Sequence, residues 1–244
     1  MKLYIDVGHG GKDCGAVGVG GVKESAINLE VGKYLKAELI RQGHEVLMSR
    51  ENDITEDLDA RVSEANNFGS DIVISIHCNA HTTESANGTE VFILKKGGNA
   101  EKIANKVLSE LVSTLGTKKR DPGVKESNFY ILRKTIAPAI LCELAFITNR
   151  SDKEKIDEAA EHKSVAVAIC KGVCSYLGTT YKKEETKVAK TKFKDESKMS
   201  SWAIDSIKKV SDAGIMNGDT NGNFRPKDAI TREEVAVIVA KLLK

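Results

Sequence analysis

The sequence has few aromatic residues, almost no net charge and no long apolar run, and each absence excludes a class of protein. Phe, Trp and Tyr make up 5% of the 244 residues, so we expect a core built mainly from Val, Ile, Leu and Ala. The formal net charge of +2 gives no electrostatic argument for a nucleic-acid partner or an anionic membrane. No stretch approaches the roughly 20 apolar residues that cross a bilayer. We therefore predict a globular protein with no nucleic acid partner and no membrane span.

The N-terminus lacks the apolar centre of a signal peptide. A charge at Asp6 and the glycines that follow it indicate a first strand and a loop instead. We therefore expect synthesis in the cytoplasm without a signal peptide, and export, if it occurs, by another route.

The chain also lacks paired cysteines of the C-x-x-C type, which argues against a structural zinc site of the zinc-finger kind. Its five cysteines are an odd number, so at least one has no disulfide partner within the chain. We interpret all of them as small buried thiols: Cys14, Cys78, Cys142, Cys170 and Cys174.

Residues 1–178 alternate strand-like and helix-like segments. The predicted strands are Lys2–Val7, Glu45–Met48, Ile72–Ile76, Thr89–Leu94, Tyr130–Leu132 and Ala139–Leu144. The predicted helices are Ser25–Gln42, with Ser25 as its N-cap, Asp57–Phe68, Ala100–Leu115 and Val165–Leu177. This order predicts an α/β fold, with a mostly parallel twisted sheet and helices on both faces. Ligands of such sheets gather beyond the C-terminal ends of the strands.

Two further segments follow this domain. Residues 179–192 are rich in Lys and Glu with little apolar periodicity, which predicts a charged linker. Residues 193–244 predict a small helical unit, with one helix over Trp202–Ala213 and a second that begins at the cap Thr231. Asp219, Asn221 and Asn223 have the first spacings of an EF-hand, but the glycine and the final glutamate of that loop are missing, which excludes it.

Three polar residues stand where strands or helices begin and end, and they could bind a metal. His9 follows the first strand in the glycine-rich run Gly8-His9-Gly10-Gly11, Glu24 precedes the first helix, and His77 closes a buried strand. Two imidazoles and one carboxylate are a ligand set of catalytic zinc that leaves a position open for water. On the residues alone, histidines that only form structural hydrogen bonds remain an alternative.

The same passages resemble the type-3 zinc family of N-acetylmuramoyl-L-alanine amidases. The motifs occur in the expected order: the glycine-rich loop with His9, Glu24 before the first helix, Ser75-Ile76-His77-Cys78-Asn79-Ala80, and Glu143-Leu144-Ala145-Phe146-Ile147-Thr148-Asn149. Lesser features that also match are Arg50, Arg61, Ala65-Asn66 and Gly88-Thr89-Glu90. The resemblance covers about residues 2–177.

This resemblance implies a role for each matching residue. His9, Glu24 and His77 would hold one Zn²⁺ ion, and Glu143 would be the catalytic general base that later gives its proton to the leaving amine. Asn79 would contact substrate or support His77. The remaining histidines match no ligand position, and we interpret them as surface residues: His44, His81 and His162.

The last segment resembles a single S-layer homology motif, a family that binds secondary cell-wall polymers. The residues that match its most characteristic segment, and that would contact the polymer, are Thr231, Arg232 and Glu234. A guanidinium pairs well with an anionic sugar, although an ion pair within the chain is an equal alternative for Arg232. Because such motifs usually occur in threes, a single copy leaves open weak binding, binding as an oligomer, or no binding.

Together these resemblances predict a zinc-dependent enzyme that hydrolyses the amide between N-acetylmuramic acid and L-alanine in peptidoglycan. It would act at the bacterial cell wall as an endolysin or autolysin. Two alternatives remain: a zinc peptidase that cuts within the stem peptide, and a wall-binding protein with an inactive enzyme domain.

Overall fold

A computed structural model describes residues 1–184 and 191–243 of the chain. Contacts between residues divide it into two compact units, Met1–Lys183 and Glu184–Lys244. The centre of the predicted linker, residues 185–190, lies outside the described residues. Within the described ranges, every helix is too short or too polar to cross a membrane.

The first unit contains one sheet of six strands. They are Lys2–Val7 (β1), Glu45–Met48 (β2), Ile72–Asn79 (β3), Thr89–Ile93 (β4), Lys119–Glu126 (β5) and Ala139–Phe146 (β6). Their spatial order is β2-β1-β3-β6-β4-β5, and every neighbouring pair is parallel except β4 with β6. The predicted α/β class with a mostly parallel sheet is confirmed.

Helices cover both faces of this sheet. They are Glu24–Arg41 (α1), Leu58–Phe68 (α2), Asn99–Leu115 (α3), Tyr130–Lys134 (α4), Arg150–Lys153 (α5) and Ala159–Leu177 (α6). Alternate strand residues divide between the faces: Leu3 and Ile5 belong to the larger core with α1, α3 and α6, whereas Tyr4 packs with α2 and α4. The sheet therefore separates two apolar layers, and its C-terminal strand ends carry the polar residues considered below.

Three local predictions were wrong. Tyr130–Leu132 belongs to α4 and not to a strand, since its consecutive residues Ile131 and Leu132 are both buried against one neighbouring layer. The strand β5 was missed because only Gly123 and Val124 of its eight residues are buried, as suits a sheet edge. Ser25 does not cap α1: the first amides of that helix, those of Glu24 and Ser25, donate to the carbonyls of Ala16 and Cys14 in the glycine-rich loop.

Four of the five cysteines are buried, Cys14 is partly buried, and all are free thiols. His162 corrects another expectation, because it is buried in α6 and its Nε2 atom lies 2.9 Å from the carbonyl oxygen of Ile156. His81 is exposed as expected, and His44 is half-buried. A histidine can therefore be buried for structural reasons without belonging to a metal site.

The second unit has a small core. Its helices are Ile204–Asp212 (α7) and Arg232–Leu242 (α8), preceded by 3-10 turns at Glu196–Lys198 and Ser201–Ala203. The buried apolar residues are Phe193, Met199, Ile204 and Ile207. Trp202 lies in a 3-10 turn and is 84% exposed, so the helix predicted over Trp202–Ala213 begins later and does not bury its tryptophan. Asp219 accepts hydrogen bonds from the amides of Asn221 and Asn223, as expected for a turn.

Candidate metal centre

Two buried arginines donate hydrogen bonds to backbone carbonyls at the start of the loop after β1. Arg50 donates to the carbonyls of Val7, Gly8 and Ser25, and Arg61 donates to those of Val7 and His9. A buried guanidinium supplies several donors in a rigid plane, which suits carbonyls that the sheet leaves without partners. Both arginines, known from sequence only as family features, therefore fix the backbone that carries His9.

Glycines in this loop make room for the polar side chains of the site. A Cβ atom on Gly8 would lie 2.4 Å from the His77 ring, and one on Gly15 would lie 2.7 Å from Glu24 Oε2. Gly15 also has a φ of 65°, a conformation that side chains disfavour. The glycine-rich sequence is thus required by close approach of the loop to the site itself.

His9 has its ring orientation set by Asp13. The distance between His9 Nδ1 and Asp13 Oδ2 is 2.7 Å, and the other nitrogen, Nε2, lies 3.3 Å from Glu24 Oε1. The φ of His9 is 60°, so its backbone is in the left-handed region. Pairing of one imidazole nitrogen with a carboxylate is the arrangement that presents the other nitrogen to a metal.

Glu24 lies at the centre of the cluster and is 4% exposed. Its Oε1 atom is 2.9 Å from His77 Nδ1 and accepts a hydrogen bond from the amide of Cys78, while Oε2 accepts one from the amide of Ala16. The first turn of α1 carries this carboxylate, and the end of β3 carries the imidazole opposite it.

The candidate ligand atoms of His9, Glu24 and His77 all lie within 4.8 Å of one another. The two rings are perpendicular, with centroids 4.9 Å apart. The donor set of two imidazoles and one carboxylate fits a zinc ion with three protein ligands. The fold therefore brings together three residues of which the first and last, His9 and His77, are 68 positions apart in the sequence.

Electrostatics of the cluster favour a positive charge at its centre. Burial alone would raise the pKa of Glu24, but hydrogen bonds with His77 and His9 lower it well below its usual range. The hydrogen bond to Glu24 raises the pKa of His9 to about 9, against the effect of burial. Burial lowers the pKa of His77, yet its hydrogen bond to Glu24 leaves it raised. An ionised, buried carboxylate between two imidazoles attracts either protons or a metal cation.

Glu143 occupies the strand position beside His77. The two residues are paired across the parallel strands β6 and β3, and both line the same cleft. Burial raises the pKa of Glu143 to about 7, and the nearby carboxylates of Glu24 and Glu90 add to this effect while His77 opposes it. Its Oε2 atom is buried and has no hydrogen-bond partner among the described residues. Such a group has the proton affinity expected of a general base near neutral pH.

The side chain of Asn79, at the end of β3, contacts β4, which lies beyond β6 in the sheet. Its Nδ2 atom donates to Glu90 Oε1 at 2.6 Å, and its Oδ1 atom accepts from the amide of Ala80. Glu90 is itself paired with Lys125 and Arg120. These contacts fix the end of β3, where a bulge follows His77, so they fit the alternative of a supporting residue better than that of a substrate contact.

A cleft of about 450 Å³ opens over His9, His77 and Glu143. The cleft is also lined by apolar and acidic side chains at or just before the starts of α2 and α4, among them Leu58, Phe129 and Glu56. The candidate ligands thus face a cavity that is large enough to admit part of a polymer chain.

Comparison with known proteins assigns this architecture. The N-acetylmuramoyl-L-alanine amidase family matches residues 3–175, and the S-layer homology domain matches residues 192–236. The chain belongs to the N-acetylmuramoyl-L-alanine amidase family. Its second unit contains an S-layer homology domain.

Individual relatives agree with this assignment. The chain is 41% identical over 176 residues to YqiI of Bacillus subtilis (strain 168), covering 71% of this chain and 84% of YqiI. It is 37% identical over 176 residues to the N-acetylmuramoyl-L-alanine amidase LytC of the same organism, covering 71% of this chain but only 35% of LytC. A solved N-acetylmuramoyl-L-alanine amidase from Clostridium difficile 630 superposes with a TM-score of 0.69 at 35% identity, covering 73% of this chain and 97% of that one.

Several residues of the amidase domain that shape the site were not recognised in the sequence. Asp13 orients His9, and Asp6 accepts from Arg61 at 2.9 Å and from Ser75 at 2.6 Å beneath the loop. Asp152 accepts from the amides of Gly88 and Phe146 and so holds the end of β6. The partners of Asp6 and Asp152 are distant in sequence or lie in loops, so no local pattern indicated their roles. Only Asp13 could have been recognised from the sequence, because it lies four residues after His9.

In the S-layer homology domain, the three residues predicted to contact the wall polymer have different environments. Thr231 and Glu234 form a capping box at the start of α8, which confirms the predicted cap. Arg232 is exposed, and no hydrogen bond or ion pair of its side chain occurs among the residues that the structure describes. Thr231 and Glu234 therefore have a structural use, whereas the guanidinium of Arg232 is available to a ligand.

Proposed function

We propose that this protein is a zinc-dependent amidase that hydrolyses the bond between N-acetylmuramic acid and L-alanine in peptidoglycan. Family membership supports the reaction, and the ligand set of His9, Glu24 and His77 supports the metal. The observation that carries the proposal is the position of Glu143: it lines the same cleft as His9 and His77, and its Oε2 atom is buried without a hydrogen-bond partner among the described residues.

In this proposal His9 Nε2, Glu24 and His77 Nδ1 would hold the ion. Zinc bound there would acidify a water molecule and polarise the scissile carbonyl. Glu143 accepts a proton from the attacking water and transfers it to the nitrogen of the departing L-alanine, so the carboxyl group returns to its starting state. Asp13 holds the imidazole of His9 in orientation, and Arg50 and Arg61 hold the loop.

The S-layer homology domain would place the enzyme at the cell wall by binding a secondary wall polymer. The exposed guanidinium of Arg232 supports this, because a guanidinium forms two parallel hydrogen bonds with a carboxylate. We also propose that the catalytic domain comprises residues 1–178, the linker 179–192 and the wall-binding module 193–244, with endolysin or autolysin as the biological role.

A digest of purified peptidoglycan tests the reaction. We expect new L-alanine amino termini without new reducing sugar ends. New amino termini of other residues would identify a peptidase acting within the stem peptide, and reducing ends alone would identify a glycosidase. Wall binding without any cleavage would identify a wall-binding protein with an inactive enzyme domain.

Removal of the metal tests the cofactor separately. Dialysis against a chelator should abolish cleavage, and one equivalent of Zn²⁺ should restore it. Elemental analysis of the purified protein should give one zinc per chain in the active form, and full activity in a metal-depleted sample would contradict the proposal.

A further inference from the structure

The cleft has a second wall that the proposed chemistry does not use. This wall belongs to the same cleft as His9 and His77 and contains Phe129, 39% exposed, and Leu58, 54% exposed. Exposed aromatic and aliphatic side chains in a cleft offer a flat apolar surface to a ligand. The Phe129 ring is held by an edge-on contact with Phe92, with ring centroids 5.2 Å apart, so it is positioned in advance.

Acidic groups border this apolar surface. Glu56 and Asp57 line the same part of the cleft, immediately before α2. The Oε2 atom of Glu56 is buried without a hydrogen-bond partner among the described residues, and Asp57 makes no side-chain hydrogen bond to the first turn of α2. Both side chains line the cleft, and the carboxylate of Asp57, which is exposed, can accept hydrogen bonds from a ligand.

The one arginine of this part of the cleft, Arg61, is occupied. Its guanidinium donates to Asp6 and to the carbonyls of Val7, His9 and Glu56. The wall therefore carries two carboxylates, those of Glu56 and Asp57, beside a guanidinium that is already engaged within the protein. It disfavours a ligand that carries carboxylates, such as a stem peptide, and it favours a neutral ligand with hydroxyl donors and an apolar face.

We propose that Phe129 and Leu58, with the carboxylates of Glu56 and Asp57, form the subsite for the glycan side of the substrate. A saccharide ring has an apolar C–H face for Phe129 and hydroxyl groups that donate to the carboxylates. The stem peptide would then leave the cleft on the other side of Glu143. This inference rests on the proposed function, since it assumes a peptidoglycan substrate.

Inhibition of peptidoglycan digestion tests the subsite with the zinc-loaded, full-length protein. The probes are a GlcNAc tetrasaccharide, which is a neutral glycan without the lactyl carboxylates of MurNAc, and the free stem tripeptide. Phe129→Ala should raise the inhibition constant of the tetrasaccharide about three- to tenfold, because an aromatic contact is lost. The inhibition constant of the tripeptide should not change.

Matched variants separate recognition from folding. Phe129→Trp retains an aromatic face and should keep tight inhibition by the tetrasaccharide, whereas Leu58→Ala should weaken it without disturbing the Phe129–Phe92 contact. Ile136→Ala removes a side chain that is 86% exposed and outside the cleft lining, so it should match the wild type.

Each outcome has a distinct meaning. A tetrasaccharide that does not inhibit the wild type, or that inhibits Phe129→Ala and Leu58→Ala as tightly as the wild type, overturns the subsite. A larger effect of these variants on the tripeptide places the peptide on this wall instead. A wild-type protein that releases no L-alanine termini from peptidoglycan overturns the proposed function itself.

Discussion

Asp13 Oδ2 lies 2.7 Å from His9 Nδ1, and this contact leaves His9 Nε2 facing Glu24 at 3.3 Å from its Oε1 atom. The side chain of Asp13 is 63% exposed, so the contact contributes little to the core. It determines instead which nitrogen of the imidazole faces the candidate metal position.

Asp13→Asn should therefore weaken zinc binding more than it weakens the fold. Loss of a carboxylate that orients a ligand histidine typically costs about 10- to 100-fold in metal affinity. Competition with a chromogenic chelator measures the affinity, and thermal unfolding of the metal-free protein measures the fold. The control is Asp53→Asn, which also removes a carboxylate charge but keeps an oxygen that can accept from the amide of Gly11, and position 53 touches no candidate ligand. Equal zinc affinities of wild type and Asp13→Asn would show that Asp13 does not orient His9.

Glu143→Gln should abolish catalysis while retaining the metal. Removal of a general base typically costs about 100- to 10,000-fold in rate, and the amide keeps the size of the side chain. The measurements are the rate of release of L-alanine termini and the zinc content of the purified variant. Retained lysis at the wild-type rate would refute the assignment of the base, and loss of zinc would indicate a structural role.

The raised pKa of Glu143 predicts that the free energy of unfolding of the metal-free protein depends on pH, and Glu143→Gln should remove this dependence. Burial raises the pKa of Glu143 from 4.5 to about 7, so the native state holds a proton that the unfolded state has released between these values. The free energy of unfolding contributed by this group therefore falls as pH rises from about 4.5 to 7. Glutamine does not ionise, so Glu143→Gln should not lose stability over this pH range through position 143.

Urea unfolding at pH 4 and pH 8 tests this dependence. We expect Glu143→Gln to be more stable than the wild type at pH 8 and the difference to be smaller at pH 4. The comparison between two proteins that share His9, Glu24 and His77 isolates the effect of Glu143. A difference of equal size at both pH values would be incompatible with a raised pKa.

Arg50→Lys should destabilise the amidase domain. The Arg50 side chain is 2% exposed and donates to four carbonyls, those of Val7, Gly8, Ser25 and Asn52, in a geometry that a single ammonium group does not reproduce. Carbonyls left unpaired in a buried site cost about 1–3 kcal/mol each, so we expect a loss of roughly 2–4 kcal/mol. Urea unfolding of the metal-free protein measures it. Arg133→Lys, at an exposed position of α4, should unfold like the wild type, and an equally small effect at Arg50 would contradict this account.

Two neighbouring variants should separate stability from binding in the S-layer homology domain. Thr231→Ala removes a capping box and should destabilise this domain by about 1 kcal/mol. Arg232→Ala removes an exposed side chain and should leave stability unchanged while weakening attachment to walls that retain their secondary polymer. Sedimentation with walls before and after removal of that polymer measures attachment. Undiminished binding by Arg232→Ala would exclude the guanidinium from polymer recognition.

Local sequence patterns were sufficient for the long elements of the fold. The continuous apolar run of β3 and the helical periodicity of α1 predicted their elements correctly, because several residues support each pattern. The short elements failed for the opposite reason. Tyr130–Leu132 is too short to distinguish a helical turn from a strand, and β5 buries too little to show an alternation.

The sequence by itself determined the residue types of the site and their order along the chain. Ordered motifs around His9, Glu24, His77 and Glu143 identified the family without any distance between them. Only the tertiary structure decided that the first three converge within 4.8 Å, because β1, β3 and α1 must pack before their ends can meet. Tertiary packing also gave Asp13 its place beside His9, Arg50 its carbonyls and Phe129 its position in the cleft, since each depends on neighbours that no local pattern specifies.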